Sequence, residues 1–215
     1  MKTSERGLAA LMQHEGIVLS PYLDSEGIWT YGIGHTKSAG PPDPEKMKKG
    51  PPADQDKELK AVLDLFRKDI VKYEDAVNKL IDVRLEQHEF DALVSFHYNT
   101  GKLGSSTARA RLNKGDKAGT AEALLWWNKP AAIIPRRKKE VELFKNGTYP
   151  TGSIALLVAN EQGRTRYLPS LSYREVLNML QGTKEEPKAI PVSSIGDGEQ
   201  VGNFISNLIK LFFNR

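Results

Sequence analysis

The sequence predicts an α+β fold, mainly helical, with a small β-hairpin lobe, a set of helices and a C-terminal hairpin and helix. Three observations predict it. Asp24-Ser-Glu-Gly27 is a turn flanked by aromatic and β-branched residues, the pattern of a hairpin. Over 54–81, Leu59, Val62, Leu63, Phe66, Ile70, Tyr73, Val77, Leu80 and Ile81 step by threes and fours, the pattern of one long amphipathic helix. After Pro150, residues 154–159 and 165–171 flank Asn160-Glu-Gln-Gly163, which predicts a second hairpin.

In chain order, residues 5–14 predict a short helix with Leu8, Leu11 and Met12 on one side and Gly16 as its stop. On the return strand of the first hairpin, Ile28 and Thr30 share a face, while Trp29 and Tyr31 take the other. Residues 38–53 hold five prolines and two glycines and are expected to form an exposed loop. After the long helix, shorter ones are expected at 86–98, 105–113, 116–127 and 135–146. Pro135 suits a first helical position and Gly147 a stop. Residues 172–180 read as a helix and 182–199 as a linker rich in Gly, Pro, Ser and charge. In the final segment Val201, Phe204, Ile205, Leu208, Leu211 and Phe212 fall on one helical face. The expected division is a domain over 1–149, a hairpin-helix extension over 150–181, the linker, and an amphipathic helix over 200–215.

Composition bounds the chemistry. Of 215 residues, 39% are hydrophobic and 27% charged, proportions of a globular chain. The absence of cysteine excludes disulfides, thiolate nucleophiles and cysteine-held zinc or iron–sulfur sites. Lys plus Arg is 31 and Asp plus Glu 27, a net charge of +4. That excess favours an anionic partner without choosing among nucleic acid, an acidic membrane surface and a cell-wall polymer. Lys2, Glu5, Arg6, His14 and Glu15 interrupt the first twenty residues, so no cleavable signal peptide is expected. No stretch reaches the roughly 18 apolar residues that cross a bilayer.

One constellation could carry catalysis. Glu15 closes the first helix, Asp24 opens the hairpin turn and Thr30 lies on the return strand, spaced E-x8-D-x5-T. Glycosidic cleavage needs one protonated carboxyl to donate to the leaving oxygen and a second, ionised group to stabilise positive charge or position water. A threonine hydroxyl can hold that water. On spacing alone, a solvated helix-end Glu and a turn-forming Asp account for the same residues.

The surrounding residues add a resemblance. Glu15-Gly16 is followed by Tyr22, Asp24, Gly27, Thr30, Gly32, Gly34 and His35, in the order and spacing of the active-site signature of phage-type lysozymes, glycoside hydrolase family 24. Gln87-His-Glu-Phe-Asp-Ala-Leu-Val-Ser-Phe96 with Asn99-Thr-Gly101, Leu112-Asn-Lys-Gly115, Trp127-Asn128, and Arg136-Arg-Lys-Lys-Glu140-Val-Glu-Leu-Phe144 resemble further family segments, over about residues 4–149. The resemblance implies a hairpin lobe joined to a helical lobe by a long helix, with a cleft between them. It implies muramidase action on peptidoglycan, between N-acetylmuramic acid and N-acetylglucosamine, as in endolysin-type lysis. By the same resemblance Glu15 is the catalytic acid, Asp24 the second carboxylate and Thr30 the hydroxyl; Asn99 and Asn128 touch saccharide; His35 pairs with Asp69. Such an enzyme is made in the bacterial host cytoplasm and acts on the wall after release. A non-catalytic wall-binding module with the same fold and a lytic transglycosylase are the competing readings.

Other motifs lead nowhere catalytic. His14-Glu15 and His88-Glu89 each begin a zinc-protease motif, but Val18 and Ala92 stand where its second His belongs. No metal and no cofactor is expected. Arg136-Arg-Lys-Lys139 reads as a solvated helix face, Trp126-Trp127 as helix packing, and no aromatic residues interleave with basic ones to suggest nucleic-acid binding. Residues 200–215 are expected to contact a partner surface or a membrane.

Overall fold

The structure, a computed structural model, describes residues 1–182. The expected linker beyond Gly182 and the terminal amphipathic helix lie outside the described residues. The chain forms two compact units. One comprises Met12–Arg67 with 151–182, the other Met1–Leu11 with Lys68–Pro150.

The first unit is built on a five-stranded sheet in the order β3-β2-β1-β4-β5, from β1 (Ile17–Leu23), β2 (Trp29–Gly32), β3 (His35–Thr36), β4 (Leu156–Ala159) and β5 (Thr165–Tyr167). β1 follows α1 (Glu5–Glu15) and pairs antiparallel with β2, setting Tyr22 opposite Thr30 and Leu23 opposite Trp29. It pairs parallel with β4, setting Ile17 against Leu156 and Val18 against Leu157. The two hairpins read from the sequence are therefore one sheet.

Pro21 sits in this central strand, where it can donate nothing to a ladder. The β1–β2 register slips between Val18 and Tyr22, the bulge that accommodates an unpaired residue. Ser20 bridges the bulged stretch on the other edge: its Oγ accepts from Ala159 N–H at 2.7 Å and donates to Ala159 O at 3.2 Å. Val18, Tyr22, Leu157 and Ala159 form the apolar cluster that joins the two strands.

The proline-rich loop is more ordered than its composition suggests. Pro44 and Gly50 are buried, and the Lys49 ammonium donates to the carbonyls of Pro44, Glu45 and Met47 at 2.6, 2.7 and 3.1 Å. A lysine inside the loop thus supplies donors that irregular backbone lacks. α8 (Tyr173–Gln181) starts at a capping box, Ser172 with Glu175, and its Leu180 carbonyl accepts from Arg67 at 2.5 Å.

In place of one helix over 54–81 there are two, α2 (Gln55–Asp69) and α3 (Val71–Leu80). The backbone of Ile70 remains right-handed (φ −67, ψ −24), and its carbonyl accepts from both Tyr73 and Glu74 N–H. The apolar stripe runs through this tight turn, which neither Gly nor Pro marks, so the sequence shows one helix.

The second unit holds α3, α4 (Gln87–Thr100), α5 (Thr107–Leu112), α6 (Lys117–Leu125) and α7 (Ile134–Asn146). α4 is buried almost all round, with Phe90, Leu93, Val94 and Phe96 at 1% exposure or less, as expected of a central helix. α7 overturns the solvated-face reading of the basic run. Arg136 and Arg137 are 4% and 1% exposed, while Lys138 and Lys139 face solvent. Glu140, one turn on, pairs with both arginines and accepts from Ser95 Oγ at 2.7 Å. Trp127 meets Phe96 edge-on at 5.6 Å, but Trp126 is 56% exposed and is not helix packing. Among the described residues no helix is long and apolar enough to cross a membrane.

Candidate active site

Glu15, Asp24 and Thr30 all belong to the sheet unit. Glu15 is the last residue of α1. Gly16 follows with φ +74, a left-handed stop that glycine adopts without Cβ strain, and its N–H donates to Met12 O at 2.8 Å. The next amide, Ile17 N–H, donates to Ala155 O at 2.9 Å. The backbone just after Glu15 is thus pinned by the segment entering β4.

Asp24 holds the β1–β2 turn. Its Oδ1 accepts from Glu26 N–H at 2.9 Å and Ile28 N–H at 2.8 Å. Its own amide donates to Ile28 O at 3.1 Å, and its carbonyl accepts from Gly27 N–H at 3.0 Å. Among the described residues no hydrogen bond reaches Oδ2. Thr30, three residues past the turn and 2% exposed, donates from Oγ1 to Ile28 O at 3.1 Å. Its proton is committed to backbone, so the oxygen remains an acceptor.

Tyr22, opposite Thr30, ties the carboxylates together. Burial pushes its phenol far up, and the negative charges of Glu15 and then Asp24 push it further. Both acids therefore lie within electrostatic reach of one buried hydroxyl. The sequence reading passed over Tyr22 as a site residue, although its place opposite Thr30 in the hairpin register was the available signal.

The remaining expected residues are placed as follows. His35 is 2% exposed, its Nε2 lies 2.8 Å from Pro42 O, and Asp69 ends α2. Asn99, in the helical unit, is 2% exposed and accepts on Oδ1 from Arg137 at 2.5 Å; among the described residues its Nδ2 has no hydrogen-bond partner. Asn128 is exposed beyond α6. The Arg137 guanidinium is lowered by burial, with Glu140 acting against that shift.

Comparison with known proteins decides what this site belongs to. The family model described as "Phage lysozyme" matches residues 12–140. The chain belongs to the phage lysozyme family. It is similar to the endolysin of Salmonella phage P22, at 35% identity over 150 residues that cover 67% of this chain and 98% of the relative. It is also 34% identical to the endolysin of Bacillus phage PZA over 158 residues, 69% of this chain but 57% of that protein. Among solved structures, the endolysin from Escherichia coli phage FAHEc1 superposes with a TM-score of 0.59 at 36% identity, covering 70% of this chain and 97% of that one. This phage lysozyme is accordingly a glycoside hydrolase, a muramidase acting on peptidoglycan. The family match ends within α7, so β4, β5 and α8 lie beyond it.

Proposed function

We propose that Glu15 donates a proton to the leaving glycosidic oxygen, that Asp24 is the ionised partner, and that Thr30 accepts a hydrogen bond from the attacking water. The bond cut joins N-acetylmuramic acid to N-acetylglucosamine. A water held between the carboxyl groups favours an inverting displacement. In turn, the role of the whole chain is lysis of the bacterial host, with the enzyme made in the cytoplasm and reaching the wall after release.

The observation that carries this reading is that the Asp24 turn does not need the Asp24 charge. The β4–β5 turn repeats it bond for bond with asparagine. Asn160 Oδ1 accepts from Gln162 and Arg164 N–H, Asn160 N–H donates to Arg164 O, and Gly163 N–H donates to Asn160 O. A neutral amide oxygen closes that turn, so the carboxylate at position 24 is a charge that local structure does not require. It sits beside a buried tyrosine that also feels Glu15.

Mass analysis of muropeptides released by the parent and by Glu15→Gln tests the assignment. The expected result is hydrolysed, reducing-end products from the parent and none from the variant. Anhydro products, lighter by one water, would make the chain a lytic transglycosylase. Clearing by Glu15→Gln at the parental rate would remove Glu15 from the mechanism.

Three finer assignments follow, the first two from the same family resemblance and the third from the apolar face of residues 201–212. Asn99 and Asn128 contact saccharide, so that their alanine variants raise KM. His35 pairs with Asp69, so that a double-mutant cycle between them returns a coupling energy. Residues 200–215 contact a membrane surface or a partner, and their deletion abolishes binding to anionic vesicles if the surface is a membrane.

A further inference from the structure

Trp29 stands between the two proposed catalytic residues of the hairpin. It precedes Thr30 directly and pairs in register with Leu23, which directly precedes Asp24. Two elements remote in sequence close on it. The first is the Lys49 ammonium, already fixed by three loop carbonyls, which lies 4.1 Å from the centre of the indole ring. The second is Gly163 of the β4–β5 turn. Its carbonyl accepts from Leu23 N–H at 3.0 Å. With φ +78, a Cβ there would fall 2.9 Å from Trp29 Cζ3 and 2.9 Å from Leu23 N. The two elements also meet each other, since a Cβ on Gly50 would lie 3.4 Å from Glu161 Cγ.

We propose that the loop around Lys49 and the β4–β5 turn form a collar that positions Asp24 and Thr30 by gripping Trp29 and Leu23. Trp29, Lys49 and Gly163 are then positioning residues and make no contact with sugar. A cation over an indole face and a carbonyl on a strand amide fix the hairpin at Trp29 and at Leu23. The grip acts one residue away from each proposed catalytic group. The β4–β5 turn lies beyond the segment the family model matches, so this part of the collar is outside that segment. The proposal rests on the catalytic roles given to Asp24 and Thr30.

A displacement of the hairpin by a fraction of an ångström is expected to lower turnover and leave substrate affinity alone, because misplaced catalytic groups cost rate. The test measures kcat and KM on soluble peptidoglycan fragments. Lys49→Met is expected to lower kcat about tenfold at unchanged KM, and Lys49→Arg, which keeps a cation over the ring, to recover most of it. Gly163→Ala is expected to lower kcat between about ten- and a hundredfold. Gly115→Ala, at an equally left-handed glycine (φ +81) with nothing within 4 Å of its Cβ, leaves kcat at the parental value. A Lys49→Met enzyme with parental kcat, an Arg variant no better than Met, or a raised KM at constant kcat would each overturn the collar. Should Gly163→Ala fail to fold, the Lys49 pair still decides. Asp24→Asn and Glu15→Gln are measured alongside. If they are active, the catalytic reading fails; if they are dead while Lys49→Met is unaffected, only the collar fails.

Discussion

The β1–β2 and β4–β5 hairpins use one turn design at two positions of the same sheet. In each, a side-chain oxygen at the first position accepts two amides, and a glycine three residues on has positive φ, +74 at Gly27 and +78 at Gly163. They differ in the group that supplies the oxygen: a carboxylate in Asp24, a neutral amide in Asn160. The design constrains geometry and leaves charge open, so the difference points to chemistry at the first turn and scaffolding at the second. The helical unit shows a third treatment. Asp91, 1% exposed, accepts from Ser4 N–H, Ser4 Oγ, Gln87 Nε2 and Tyr149 OH. Burial pushes this carboxyl up and the hydrogen bonds pull it back in part. An acid so fully occupied is fixed in place and has little left to offer a substrate.

The largest expected effect separates the two acids of the proposed site from everything else. Glu15→Gln should lower kcat about a thousandfold with an unchanged melting curve, since a positioned general acid is worth roughly 10²–10⁴. Asp24→Asn should keep the turn and lose about a hundredfold or more in kcat, whereas Asn160→Asp should keep parental activity. Equal losses in both turns would break the comparison between them. Asp91→Ala should do the reverse of Asp24→Asn. It strips the acceptor from Ser4, Gln87 and Tyr149 and should cost about 3 kcal/mol in denaturant unfolding, while kcat per folded molecule holds.

Smaller effects sharpen the contrast further. Ser172→Ala removes the cap of α8 and should cost about 1 kcal/mol; hydrogen exchange confined to α8 would show whether that helix frays alone. Glu74 gives the mildest effect. Burial raises its pKa, but the Thr3 N–H and the Lys2 ammonium more than reverse that, leaving it below the ordinary glutamate value. A carboxyl lowered in the folded state contributes stability that is complete above its unfolded value and is lost as pH falls through the folded one. Glu74→Gln should therefore flatten the acid limb of the stability profile by lowering stability at neutral pH, while stability below the folded pKa stays close to the parent's. Parallel acid limbs for variant and parent would refute this.

Local chemistry made much of this molecule legible. Asp24 and Asn160 announce their turns because an Asx oxygen reaches amides only two and four residues on. Ser172 announces α8, and Gly147 ends α7 with φ +65, for the same short-range reason. Glu15, Asp24 and Thr30, the residues proposed for catalysis, stand out in the sequence through their spacing in a signature that resembles the family's. Where contacts span long stretches of chain, the sequence misled or was silent. Arg136 and Arg137 read as solvent-facing, yet α7 turns them inward onto Ser95 and Asn99 of α4. The proline-rich loop read as exposed, yet its Lys49 sits over Trp29 and its Gly50 meets Glu161.

By itself the sequence determined the class of fold, the turn on which Asp24 sits and the family to which the chain belongs, because each follows from motifs and periodicities that are local to single segments, read in order along the chain. Only the tertiary structure decided that β4 lies parallel to β1, with Ser20 and Ala159 bonded across a separation of 139 residues, and that Lys49 and Gly163 converge on Trp29. Parallel pairing and the burial of charge depend on what the chain brings back from far away, and no local pattern of residues encodes that return.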